Sequence, residues 1–218
     1  GRMKPMDTLS REIVRKLSGK ESLDGMTHNQ VVLGMFFRED IWKKVPMIKV
    51  KTPKLRKMIG TNAEHRASFN QFFEGHRYLL KEEVERAHAL KPSQRGTFEN
   101  DLIKVDERLN IAFMVYTGAL FKVFPVIDDP NHQWVDFKSI WMLSEDNEEV
   151  TIQRTIKAFM DQGFAQNYAA LDVLVEEIDQ YQRQYGNAVI PSRRAVEHEI
   201  RYNELKLFSR LSIAYLLA

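Results

Sequence analysis

Residues Leu102, Val105, Leu109, Ala112, Tyr116, Ala119 and Val123 recur at alternating steps of three and four. That spacing places all of them on one stripe of an α-helix, whereas a strand changes face every second residue. From Ile111 to Phe121 the apolar character spreads round the whole circumference. A central helix near residues 98–124, buried in its second half, is therefore expected. The fully apolar stretch falls well short of the ~20 residues a bilayer crossing needs. Pro125 is expected to end the helix, and the run from Asp128 through Asp129, Pro130 and Asn131 to His132 reads as an ordered loop before Trp134.

The flanking sequence carries the same signature. Asp7 or Thr8 can cap a helix in which Leu9, Ile13, Val14 and Leu17 share a face, with Gly19 as its stop. Thr27 and Gln30 form a capping-box pair ahead of Val31, Val32, Met35 and Phe36. Met47, Ile48 and Val50 suit a short extended piece, and Thr52–Pro53 opens a short helix that closes near Gly60. A further helix is expected from about Tyr78 to Leu90. Leu171, Leu174, Val175, Ile178, Tyr181 and Tyr185 share a face that stops at Gly186. A last helix after Ser192 turns Val196, Ile200, Leu207 and Leu211 inward. With only 10 Gly and 7 Pro in 218 residues, there is little turn chemistry for many short strands. The fold class is all-α, an irregular bundle of roughly seven or eight helices, in one domain over residues 1–218 within which 1–60 is open to being an N-terminal subdomain.

The ends constrain location. No charged stretch followed by an apolar run lies near Gly1, so no signal peptide is read there. At the other end Leu211, Ile213, Ala214, Tyr215, Leu216, Leu217 and Ala218 leave only Ser212 polar, with Lys206 and Arg210 just ahead. Two readings stand: an apolar helix docking on its own domain, or the start of a membrane helix that continues further.

Catalytic motifs fail on inspection. Zero cysteines removes disulfides, thiolate nucleophiles and C-x-x-C-H haem attachment. Ser18-Gly19-Lys20-Glu21 resembles a phosphate loop, but Val14 stands where its first glycine belongs. His198-Glu199 starts H-E-x-x-H, yet Tyr202 takes the second histidine's place. The acid pairs Glu82–Glu83 and Asp106–Glu107 read as ordinary exposed helix carboxylates. His28, His65, His76, His88, His132 and His198 show no metal-ligand spacing on a helix face, and Trp42, Trp134 and Trp141 read as core.

One lopsided feature remains. Lys43, Lys44, Lys49, Lys51, Lys54, Arg56 and Lys57 gather seven positive charges with no acid between them. Such a segment suits lipid phosphates, haem propionates or an acidic partner, or is simply a solvated face. It lacks the interleaved aromatics that base stacking needs, and the chain's net charge is only +2, so no nucleic acid is expected as partner.

Several landmarks point to a family. Gly1-Arg2-Met3-Lys4-Pro5-Met6-Asp7-Thr8 running into Arg11-Glu12-Ile13-Val14-Arg15-Lys16-Leu17, then Asn29 to Met35, Lys104 to Asn110, Tyr116-Thr117-Gly118 and Asp129-Pro130-Asn131 with Trp134, resemble the fused cytochrome c biogenesis proteins of the system II (ResB/CcsA) type. The resemblance covers essentially the whole chain and corresponds to the extracytoplasmic part between the two membrane halves. It implies a periplasmic domain of an integral inner-membrane protein that delivers haem to apocytochrome c. Its partners would be the apocytochrome and the membrane halves of the same polypeptide. The whole family acts as a cytochrome c haem lyase, but the tryptophan-rich motif and the haem histidines of that family are not placed on this segment. No catalytic, cofactor-binding or metal residue is therefore assigned, haem belonging to the whole protein rather than to this domain. The residues alone leave an alternative: a cytosolic helical adaptor that binds an acidic partner through Lys43–Lys57.

Overall fold

The computed structural model describes residues 3–61, 65–142, 147–207, 210–211 and 215–216. Among these, nine α-helices and four two-stranded antiparallel pairs make an irregular all-α bundle. In chain order, α1 (Met6–Ser18) leads through the pair β1 (Ser22–Leu23) and β2 (Met26–Thr27) into α2 (His28–Phe37) and the single turn α3 (Glu39–Trp42). Next come β3 (Ile48–Lys49), α4 (Pro53–Met58) and β4 (Arg66–Ala67), then the hairpin β5 (Phe73–Glu74) and β6 (Arg77–Tyr78). Helices α5 (Lys81–Ala89) and α6 (Thr97–Tyr116) follow, then β7 (Phe124–Pro125) and β8 (Trp134–Val135). The chain closes with α7 (Asn147–Phe164), α8 (Tyr168–Tyr185) and α9 (Arg193–Leu205).

Helix α6 is the axis. Its stripe of Leu102, Val105, Leu109, Ala112, Val115 and Tyr116 is buried against Ile13, Val14 and Leu17 of α1 and Val31, Val32 and Met35 of α2, in a core that reaches Ile178 and Tyr181 of α8. Burial of each such aliphatic side chain stabilises the fold by about 1.5–3 kcal/mol. An aromatic seam joins the halves: Phe37 packs on Phe159 at 5.4 Å, and Phe36 on Phe121 at 5.5 Å and Phe137 at 5.1 Å. Gly163 in α7 leaves room for the Phe37 ring, which a Cβ there would overlap.

Several local expectations hold. Gly19 ends α1 at φ 77°, donating its N–H to Arg15 O. Thr27 and Gln30 cap α2 reciprocally, and the Ser192 hydroxyl accepts from Ala195 N at the start of α9. Ile48 lies in a strand, paired with Ala67.

Others are corrected. The central helix stops at Tyr116 instead of running to residue 124, because Gly118 turns left-handed at φ 74° and its missing side chain admits the Phe36 ring. Pro125 accordingly sits in a strand, and Phe113, expected inside, is 53% exposed. Neither Asp7 nor Thr8 caps α1, which starts after Pro5. Thr8 is buried, with its hydroxyl given to Glu199 at 2.9 Å, and Asp7 bonds His28 Nε2 at 2.7 Å. The helix expected from Tyr78 to Leu90 is shorter, because Tyr78 belongs to a hairpin. Asp106 is half-buried rather than an exposed carboxylate, and accepts from Tyr78 Oη at 3.0 Å. Trp141 is largely exposed, not core.

Val196 and Ile200 are half-buried, but Leu207 and Leu211 are exposed, and no residue of α9 is buried. Of the apolar closing run, residues 212–214 and 217–218 lie outside the described residues; Tyr215 and Leu216 are exposed. Among the described residues no helix is long and apolar enough to cross a membrane.

Candidate functional site: a basic strip laid along the central helix

The seven cations of residues 43–57 do not gather at one point. They follow α6 in the antiparallel direction, and contacts at four levels set the register. In the first turn of α6, Phe98 lies under Lys54, whose Nζ stands 4.2 Å from the ring centroid, a cation–π contact. One turn on, Asp101 Oδ2 accepts from Thr52 N at 2.7 Å and Lys51 N at 3.0 Å, the two amides immediately ahead of Pro53 at the start of α4. Next, Arg108 donates to Lys49 O at 2.9 Å and to Lys16 O at 3.0 Å. In the last turn, Tyr116 carries Lys43 5.5 Å from its ring centroid. From Phe98 to Tyr116 this is roughly 27 Å of helix at 1.5 Å per residue.

Asp101 and Arg108 are both buried, seven residues apart on one helix face. Burial draws the Arg108 pKa down, and the charges of Asp101 and Glu107 oppose that fall. The pair is thus a buried carboxylate and a buried guanidinium whose hydrogen bonds go to backbone groups, those of Asp101 to the strip and those of Arg108 to the strip and to the end of α1. Sequence reasoning singled out the neighbours Asp106 and Glu107 instead. Glu107 proves to be a surface partner of Lys16 at 2.8 Å.

The side chains themselves differ in availability. Lys43 is held by Glu39 at 2.8 Å. Lys44, Lys51, Lys54 and Lys57 are exposed; Lys49 and Arg56 are half-buried. Among the described residues no ion pair engages any of these six. An eighth cation joins them: Arg66 pairs across the strands with Lys49, and His65 O accepts from Val50 N. Two-residue strands leave no alternation in the sequence, so nothing there pointed to Arg66.

Other candidate groups are accounted for structurally. His28 serves Asp7, and His65, His76, His88, His132 and His198 are exposed. Among the described residues no cluster of His, Asp and Glu is arranged to hold a metal. A shallow recess of ≈ 280 Å³ lies beside α6, lined by Phe69, Phe73, Tyr78, Asp106, Leu109 and Phe113. Burial, then the Asp106 carboxylate, pushes the Tyr78 pKa far up, so its hydroxyl stays a donor at any physiological pH.

The two ends of the fold meet. Glu199 and Asn203 of α9 both bond Thr8 of α1, and Lys206 reaches Glu21 at 2.7 Å. No protein-family model matches the chain. Among known proteins, it is similar to Protein NrfI of Wolinella succinogenes. The two are 46% identical over 217 residues, which is 99% of this chain and 24% of NrfI. The chain therefore spans about a quarter of the length of that relative. Because the likeness to NrfI takes in nearly every residue, the strip, its anchors on α6 and the α1–α9 junction all fall inside it.

Proposed function

We propose that this chain is an extracytoplasmic domain of a membrane-embedded, haem-delivering protein of cytochrome c maturation, and that it docks the apocytochrome or scaffolds the membrane halves rather than catalysing a step. The observation that carries the reading is the 46% identity to NrfI along 99% of the chain, set in a relative about four times as long. That likeness supports a role in cytochrome c maturation. It agrees with the resemblance of the Lys104–Asn110 and Asp129–Asn131 landmarks to ResB/CcsA-type proteins. The junction of α1 with α9 supports the scaffold role: polypeptide attached at either side would leave the domain at one place.

The test uses the full-length protein, with residues 6–205 replaced by a flexible linker and holocytochrome c followed by haem-linked peroxidase staining. Loss of holocytochrome, with the remaining membrane protein still present at its normal level, is expected. Wild-type staining would refute docking and scaffolding together. A topology reporter inserted in the α7–α8 turn should report an extracytoplasmic position; a cytoplasmic signal would favour instead the adaptor that holds an acidic partner on the basic strip.

A further inference from the structure

Helix α6 also forms one wall of the recess beside it. Asp106, Asn110 and Phe113 follow at steps of four and three, so they share a stripe of the helix. Hairpin β5–β6 forms the opposite wall, and the Tyr78 hydroxyl, donated to Asp106 Oδ1 at 3.0 Å, ties the two together. In the hairpin Phe73 stands across from Tyr78 and Glu74 across from Arg77. Successive side chains of a strand point to opposite faces, so the two rings share the face that lines the recess, and the exposed Glu74 and Arg77 share the reverse one. The rings continue into a ladder: Phe73 lies 5.5 Å from Tyr78 and 5.0 Å from Phe69, at interplanar angles of 34° and 28°. Opposite them Phe113 leaves 53% of its surface to solvent.

Set into these apolar walls is one incompletely matched charge. Tyr78 occupies Oδ1 of Asp106, while Oδ2 has no hydrogen bond and the carboxylate no cation among the described residues. Lys43, which reaches the neighbouring Tyr116 ring, is already paired with Glu39. That combination selects an occupant. An anion would be repelled by Asp106, and hydrocarbon would strip water from Oδ2 and return no hydrogen bond. An ammonium would match the charge, but it is a compact, strongly hydrated group. A guanidinium is more weakly hydrated, stacks on aromatic faces and donates in a planar fork to a carboxylate, while its aliphatic stem covers apolar surface. At ≈ 280 Å³ the recess falls just under the range of about 300–1,000 Å³ for small-molecule sites, which suits one long side chain.

We propose that the recess between α6 and hairpin β5–β6 receives an arginine side chain of a polypeptide partner, its guanidinium paired with Asp106 and stacked against the aromatic wall, its stem against Phe113. This gives the chain an interaction site apart from the basic strip and of opposite charge preference. It stands whether or not the docked polypeptide is an apocytochrome. Tyr78 acts as the positioning residue, because its buried hydroxyl holds Oδ1 and leaves Oδ2 for the incoming donor.

The test titrates the 218-residue chain, with its amide and aromatic NMR signals assigned, with the peptide acetyl-Gly-Arg-Gly-amide into the millimolar range. Saturable shifts are expected at Phe73, Tyr78, Asp106, Asn110 and Phe113. The same peptide with citrulline, which keeps the shape and loses the charge, should bind roughly tenfold more weakly, and the lysine and leucine peptides should also bind more weakly than arginine. Asp106→Asn, which still offers Tyr78 an acceptor, should weaken the arginine peptide by about tenfold. Glu107→Gln removes the same charge one residue away on the exposed side and should change the affinity less than about twofold. Phe113→Ser, at an exposed position outside the core, should weaken binding several-fold. No saturable shift, citrulline, lysine or leucine binding as tightly as arginine, or equal losses in the two acid variants would each overturn the proposal. So would shifts at these residues that follow protein concentration without peptide, which would mean that a second copy covers the recess. The peptide comparisons leave the protein unaltered and decide the matter even where a variant fails to fold. Holocytochrome formation is not a readout here, so this inference and the proposed function can fail separately.

Discussion

Replacing Arg108 with methionine isolates the buried cation that fastens two segments to α6. The change keeps an unbranched apolar stem but deletes both guanidinium bonds, to Lys16 O and Lys49 O. Lys16 O sits in the last turn of α1, where Lys20 N, its helical partner by position, instead bonds the Ser18 hydroxyl. It therefore has no intrahelical replacement. Each hydrogen bond from a charged donor is worth about 1.5–3 kcal/mol, which sets a gross loss of about 3–6 kcal/mol. Against this, the desolvation that draws the Arg108 pKa down is relieved when the charge is removed. Asp101 in turn loses an opposing charge. A net destabilisation of about 2–4 kcal/mol results. Urea titration followed by circular dichroism should read it as a lower midpoint with an unchanged slope. Arg108→Lys, which keeps the charge but can reach a single carbonyl well, should fall between. A methionine variant within about 0.5 kcal/mol of wild type would refute the claim that this side chain fastens the strip.

Two more perturbations test other joints. Burial raises the Asp7 carboxyl, but the His28 hydrogen bond and the charges of His28 and Arg11 outweigh it and leave the pKa below the ordinary 3.8. A group so lowered stabilises the fold above pH 3.8 and loses that contribution as the pH falls through its folded value. Thermal melting of wild type and Asp7→Asn should thus converge below pH 3.8; a gap that stays constant from pH 6 down to pH 2 is the contrary result. Gly163→Ala sets two effects against each other: alanine favours a helix by about 1 kcal/mol, while its Cβ would overlap the Phe37 ring. Overpacking costs about 1–3 kcal/mol, so a lower melting temperature is expected, and a higher one would mean the aromatic seam is loose.

Local devices were legible in the sequence and distant ones were not. Gly19, the Thr27–Gln30 box and Ser192 act within four residues, so their chemistry shows in the chain itself. Thr8 has the right composition for a cap but is claimed by Glu199, 191 residues away. The stripe from Leu102 to Tyr116 announced α6 correctly, whereas Ala119 and Val123 kept its period without being helical. A buried irregular segment is as apolar as a buried helix, and only the left-handed Gly118 separates them. At the candidate site the run of cations was plain, but its alignment along α6 rests on Asp101 and Arg108. Their significance lies in which backbone groups they meet, and no spacing rule encodes that.

The strip is laid down long before its template. Lys51 and Asp101 are 50 residues apart, and Lys49 and Arg108 are 59. On a ribosome, or on a translocating chain that enters N-terminus first, residues 43–57 emerge without the helix against which they will lie. Their charge keeps them hydrated in the interval, while α1 and α2 must wait with exposed apolar faces until α6 arrives. Closing these long loops is then the step at which the first half of the domain becomes committed, and a helper that shields α1 and α2 would act within that window.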